Sequence, residues 1–162
     1  MKIAFVRTGE SHDRIHVERD DGSKAGWRWP AGGPPHDLIH WVVESELPIE
    51  RGFWGLVARG VDFGIHAEAH EGRLPGEIDD PTELLQAEAC VAGIQTGMGL
   101  EPRASDGECL EHAHRAAERA GVTLPGELDR WRFGEVRRSA EDWVGRYRAL
   151  DRRQALHLSF GG

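Results

Sequence analysis

Arg14-Ile15-His16-Val17-Glu18-Arg19-Asp20-Asp21-Gly22-Ser23-Lys24-Ala25-Gly26-Trp27-Arg28-Trp29 is the stretch that decides the fold. Ile15 and Val17 fall on one face of an alternating run, and Ala25, Trp27 and Trp29 fall on one face of a second run. A period of two is the pattern of a strand buried on one side. Asp20-Asp21-Gly22-Ser23 between the runs supplies residues that turn readily. Lys2 to Arg7 is apolar through its centre and reads as a strand before this pair, so the N-terminal region is expected to be an antiparallel meander. Leu156, Leu158 and Phe160 alternate with His157 and Ser159 near the other end, a strand signal that would join the same sheet.

Between these strands the period changes to that of helices. Pro30 to Pro35 is a Gly/Pro loop, and a helix is expected from about Pro35 to Glu46, ending before Pro48. Ile49 to Arg59, with Phe53, Trp54, Leu56 and Val57, reads as a second short helix, and Gly60 to Gly76 as a long polar loop. Asp80-Pro81-Thr82-Glu83 is a helix start with an Asp cap, Pro first and Glu third. Leu84, Ala87, Val91, Ile94 and Met98 form its apolar stripe. Ser105 and Glu108 open another helix by the same capping logic, with Leu110, Ala113, Ala117 and Ala120 inward and Gly121 closing it. Ser139 is expected to start the last helix, with Trp143, Tyr147 and Leu150 facing inward. The expected class is α+β: a small antiparallel sheet, made of the meander and the terminal strand, packed against four to five helices in a single domain, 1–162.

Composition excludes several functions. The chain has 162 residues, 39% hydrophobic and 30% charged, with six Trp, which is enough to build a core and argues against disorder. A net charge of −8 gives no footprint for a phosphate backbone. The run Asp129 to Arg153 holds eight Arg against five acids, but interleaved signs on a helix mark a solvated face. Nucleic acid is therefore not an expected partner. No apolar run is long enough for a bilayer and the start is no signal peptide, so neither a membrane nor export is expected. Cys90 and Cys109 are too few for a disulfide framework and fit buried thiols in a reducing cytoplasm.

The chemical content is concentrated in Pro34-Pro35-His36-Asp37-Leu38-Ile39-His40-Trp41-Val42-Val43-Glu44. Residues four apart on a helix are separated by about 40° and about 6 Å, so His36 and His40 can offer two nitrogens to one ion. Imidazole suits Zn or another divalent transition metal. Asp37 could orient an imidazole or act on a bound water, as the Glu does in His-Glu-x-x-His. Asp is one methylene shorter, so proteolysis is not the expected reaction. Glu44 stands about 12 Å along the helix from His36 and suits the role of acceptor for a ring N–H of His40 better than that of ligand. The remaining ligands would come from His66 and His70, or from the helix carrying Cys109, His112 and His114. The competing reading is structural: Asp37 favours the helix dipole, His36 helps cap the first turn, and His40 is a core-edge histidine bonded to Glu44.

Two resemblances attach to these residues. Pro35 to Glu44, followed by Gly52-Phe53-Trp54-Gly55, resembles a group of small bacterial proteins with a strand-rich start, a helical middle and a short terminal strand. That resemblance implies the layout and no activity. His36-Asp37-x-x-His40 also resembles the metal site of the Coq4 family of ubiquinone biosynthesis, in which the two His and the Asp belong to a zinc-type site that a later Glu completes. Here Glu44, Glu46 and Glu50 follow at other spacings, and that family is largely helical. The match is confined to the motif and reads as a shared solution to metal binding.

Three functions follow as expectations. One is a metal-dependent enzyme of hydrolytic or lyase type acting on a small molecule, with His36 and His40 as ligands and Asp37 and Glu44 in catalytic or supporting roles. Another is a non-catalytic metal or ligand binder. The last is a metal-free interaction domain, whose partner is another protein or a second copy of this chain, with the helix as scaffold.

Overall fold

The computed structural model describes residues 1–33, 35–63, 78–98, 104–126 and 128–161. Its elements run β1 (Lys2–Val6), β2 (His12–Glu18), β3 (Lys24–Pro30), α1 (His36–Glu46), α2 (Phe53–Ala58), α3 (Thr82–Gly97), α4 (Asp106–Ala120), α5 (Arg130–Arg148) and β4 (Ala155–Ser159). The class is α+β, with one four-stranded antiparallel sheet of order β3-β2-β1-β4. No helix among the described residues is long and apolar enough to cross a membrane. The chain divides into two compact units, 1–35 with 54–79 and 144–162, and 36–53 with 80–143.

The first unit is built on the alternation read above. Ile15 pairs with Phe5 and Trp27, and Val17 with Ile3 and Ala25, so the apolar set of each strand lies on one face. β4 closes the sheet on the other side of β1, with Leu158 opposite Ile3 and Leu156 opposite Phe5. That face is filled by an aromatic cluster: Phe5 meets Trp29, Trp54 and Tyr147 edge-on at ring separations of 6.0, 6.0 and 6.5 Å, and Trp27 lies 5.8 Å from Trp54. Tyr147 donates its hydroxyl to Asp13 Oδ2 at 2.6 Å. Burial and the Asp13 carboxylate hold that hydroxyl far above the usual tyrosine range, so it stays a donor.

The second unit is helical. Ser105 accepts from the Glu108 N–H while Glu108 reaches back to the Ser105 N–H, the capping box expected for α4, and Gly121 closes the helix in the left-handed region. α3 and α4 approach closely at Gly93, where a Cβ would lie 2.6 Å from the Cys109 carbonyl oxygen and 2.8 Å from Ala113 Cβ. Cys90 and Cys109 are free and buried, and burial pushes the Cys90 thiol up to about 12, leaving it inert.

Two expectations need correction. The last helix begins at Arg130, well before Ser139, because Asp129 Oδ1 accepts the Arg132 N–H at 2.7 Å and caps it there. Its buried stripe is Phe133, Val136, Ala140, Val144 and Tyr147; Trp143 and Leu150 are only half-buried. At the start of α3, Asp80 Oδ1 accepts the Thr82 N–H at 3.0 Å, but Glu83 does not fold back to complete a box. Its Oε2 instead accepts the N–H groups of Glu50 and Arg51, both at 2.6 Å, which ties the loop after α1 to the first turn of α3.

Candidate metal centre

His36 opens α1, with Asp37 beside it in the first turn, where a carboxylate favours the helix dipole. Leu38, Ile39, Val42 and Val43 are fully buried, so the helix is sunk on one side and His40 and Glu44 go down with it. The His40 and Glu44 side chains are wholly inaccessible, whereas His36 is 44% exposed. The two imidazole rings lie 4.7 Å apart, and the Phe53 ring stands 5.4 Å from His40.

A third group comes from α3. One donor atom from each of His36, His40 and Glu88 lies within 4.8 Å of the others. Glu88 Oε1 is 3.4 Å from His40 Nε2, and Glu88 Oε2 is 3.7 Å from His36 Nε2. Tetrahedral bonds of about 2.1 Å to a metal place neighbouring donors about 3.4 Å apart. The spacing therefore suits one ion.

Both rings are held from behind by an acid of their own helix. Glu44 Oε1 is 3.2 Å from His40 Nδ1, and Asp37 Oδ1 is 3.4 Å from His36 Nδ1. A carboxylate accepting Nδ1–H selects the tautomer whose Nε2 lone pair is free, the arrangement that orients histidine ligands. For His40 the buried Nε2 makes no hydrogen bond that meets geometric criteria among the described residues, and the acid facing it is Glu88, at 3.4 Å.

Without an ion, the same pocket holds a proton. Burial alone disfavours a charged ring, but the Glu44 hydrogen bond and the Glu88 carboxylate outweigh it and raise His40 from 6.5 to about 9. Burial raises the Glu88 carboxyl, yet the His40 and His36 rings beside it bring it below its ordinary value. His40 Nε2 is thus the position that faces Glu88 and would carry the second proton of the ring.

Glu44 owes its position to Gly52. A Cβ there would sit 2.5 Å from Glu44 Cδ, 2.7 Å from Oε2 and 2.8 Å from Ile49 Cγ2. Gly52→Ala should push the carboxylate off His40 Nδ1. We expect a loss of about 1–3 kcal/mol from overpacking and metal affinity about 10–100-fold weaker from the lost orienting bond. Urea midpoints and a Zn titration of the variant check both; an unchanged affinity would remove Glu44 from the site.

Of the expected residues, the fold brings His36, His40, Asp37 and Glu44 together around one cluster. His66 and His70 lie outside the described residues. Cys109 packs beside Gly97 and Arg137 and, with His112 and His114, takes no part in the cluster of described residues. Sequence reasoning missed Glu88. Its signal was present: Glu88 is the only charged residue between Glu83 and Glu101, an acid in a helix otherwise apolar or neutral there.

Comparison with protein-family models, with curated proteins and with solved structures finds no match to this chain.

Proposed function

We propose that this protein binds one divalent transition-metal ion, zinc or a metal of similar preference, through His36 Nε2, His40 Nε2 and the Glu88 carboxylate. The observation that carries this reading is the buried, unbonded Nε2 of His40, set one tetrahedral edge from a carboxylate and backed by Glu44. Two imidazoles and one carboxylate make up the donor set of catalytic zinc and non-haem iron sites, which keep positions open for water or substrate. Such an ion supplies Lewis acidity and a nucleophilic water at neutral pH. The chain's own residues do the rest. Glu44 and Asp37 fix the ring tautomers, and Phe53 shields one side of His40. Half-exposed His36 and Glu88 leave the approach from solvent to a small molecule. A hydrolytic or lyase-type reaction on a small substrate fits this arrangement best.

Protein prepared without a histidine tag should bind one equivalent of Zn or Co. Binding by Glu88→Gln should be weakened at least about 100-fold, and by His36→Ala about 10-fold or more, since each removes a ligand. Calorimetric titration and elemental analysis read these values. Absence of bound metal after incubation with Zn, Co and Fe(II) would leave the metal-free reading, in which a protonated His40 between Glu44 and Glu88 is a structural ion pair.

A further inference from the structure

The first unit contains a cavity of about 420 Å³ between the β1–β2 turn, the loop after β3 and the end of α5. Three arginines, Arg7, Arg148 and Arg152, are among the residues that line it. Arg7 Nη1 donates to the carbonyls of Arg148 at 2.7 Å and Leu150 at 2.6 Å, closing the C-terminus of α5. Its Nε and Nη2 form no hydrogen bond or ion pair with a described residue, and neither do the exposed side chains of Arg148 and Arg152. Four arginines elsewhere, Arg115, Arg132, Arg137 and Arg138, each meet a carboxylate within 3.4 Å.

The acid in the cavity wall does not serve as their partner. Asp13 is buried, and its Oδ1 accepts the Thr8 N–H at 2.9 Å while Oδ2 accepts the Tyr147 hydroxyl. Glu10 stands exposed and leaves the three cations in excess.

Arg152 is also placed by the backbone. Its stem lies against Gly9, where a Cβ would come 2.6 Å from Arg152 Cδ, and Gly9 itself has φ +78°. The turn carrying Arg152 is pinned to β1 by Arg7 N–H to Gln154 O at 3.0 Å and Arg153 N–H to Arg7 O. Arg153, with φ 68°, is the one described non-glycine residue in the left-handed region. Backbone held in that conformation recurs where a fold must present a group to a ligand.

We infer that this cavity is a second binding site, for the phosphate group of a small phosphate monoester, held by Arg7, Arg148 and Arg152. Guanidinium forks match tetrahedral oxyanions, and three of them offer more donors than the two oxygens of a carboxylate can use. The volume is that of a small-molecule pocket.

The test is calorimetric titration of the full chain with phenyl phosphate and, separately, with benzoate. The wild type should bind phenyl phosphate saturably and benzoate at least about tenfold more weakly. Arg148→Gln and Arg152→Gln should each weaken phenyl phosphate binding about tenfold, and the pair should abolish it, with unfolding midpoints and zinc stoichiometry unchanged. No binding to the wild type, equal binding by the double variant, or benzoate bound as tightly as phenyl phosphate would each overturn the assignment.

Discussion

His40→Ala should lose metal binding and at least about 3 kcal/mol of stability together, the largest effect expected of any single substitution in the second unit. The ring is fully buried, and Glu44 beneath it keeps its carboxylate out of solvent. Removing the ring leaves that carboxylate without its imidazole and opens a cavity. Urea unfolding at neutral pH in the presence of a chelator measures the effect without a metal contribution. The companion variant His40→Leu/Glu44→Leu separates stability from purpose. Replacing both members of a buried pair by apolar residues is often neutral or stabilising. The double variant should therefore regain most of the lost stability and still bind no metal. Retained metal in either variant would place the ion elsewhere.

The metal-free protein should lose roughly 3 kcal/mol of stability between pH 6.5 and 9, at about 1.4 kcal/mol per pH unit. The sign follows from the direction of the shift. His40 holds its proton more tightly folded than unfolded, so its contribution is complete below 6.5 and disappears as pH rises through about 9. Glu88 acts in the opposite sense: its carboxyl is lowered by folding, so its contribution is present above 4.5 and disappears as pH falls through the folded value. The local optimum lies in mildly acidic solution. Zinc should reverse the alkaline trend, because binding at Nε2 displaces the His40 proton, and affinity should climb about tenfold per pH unit up to about pH 9. Unfolding at a series of pH values, with chelator and with zinc, gives both curves. His40→Gln should flatten the chelator curve, and a wild-type curve already flat would show a neutral ring.

The sheet was legible because alternation is a local signal. Ile15, Val17, Ala25 and Trp27 declare their face without any partner, and the partner strands were found by the same test. Helix starts were legible where the cap is self-contained, as at Ser105 and Glu108. They were misread where a side chain works at a distance. Glu83 looked like the acid of a capping box but bonds a loop more than thirty positions away, and Asp129 began α5 before the expected Ser139. The candidate centre divides along the same line. His36, Asp37, His40 and Glu44 sit on one helix and their spacing could be read, whereas Glu88 reaches them only through the packing of α3 on α1. No spacing rule connects residues 40 and 88.

The contact at Gly93 has a bearing on which cations the protein could accept. Glu88 stands five positions before that glycine on the same helix, about 7.5 Å along its axis. At Gly93 the helix packs against the Cys109 carbonyl oxygen of α4, with Ala113 Cβ and the Phe133 ring beside it, so no side chain larger than hydrogen fits there. On the proposed metal-binding reading, a helix packed this closely gives Glu88 a firm base from which to meet the inner imidazole. The same reading predicts a preference for small ions that accept two imidazole nitrogens over calcium, which takes ligands at about 2.3–2.6 Å and wants six or more oxygens.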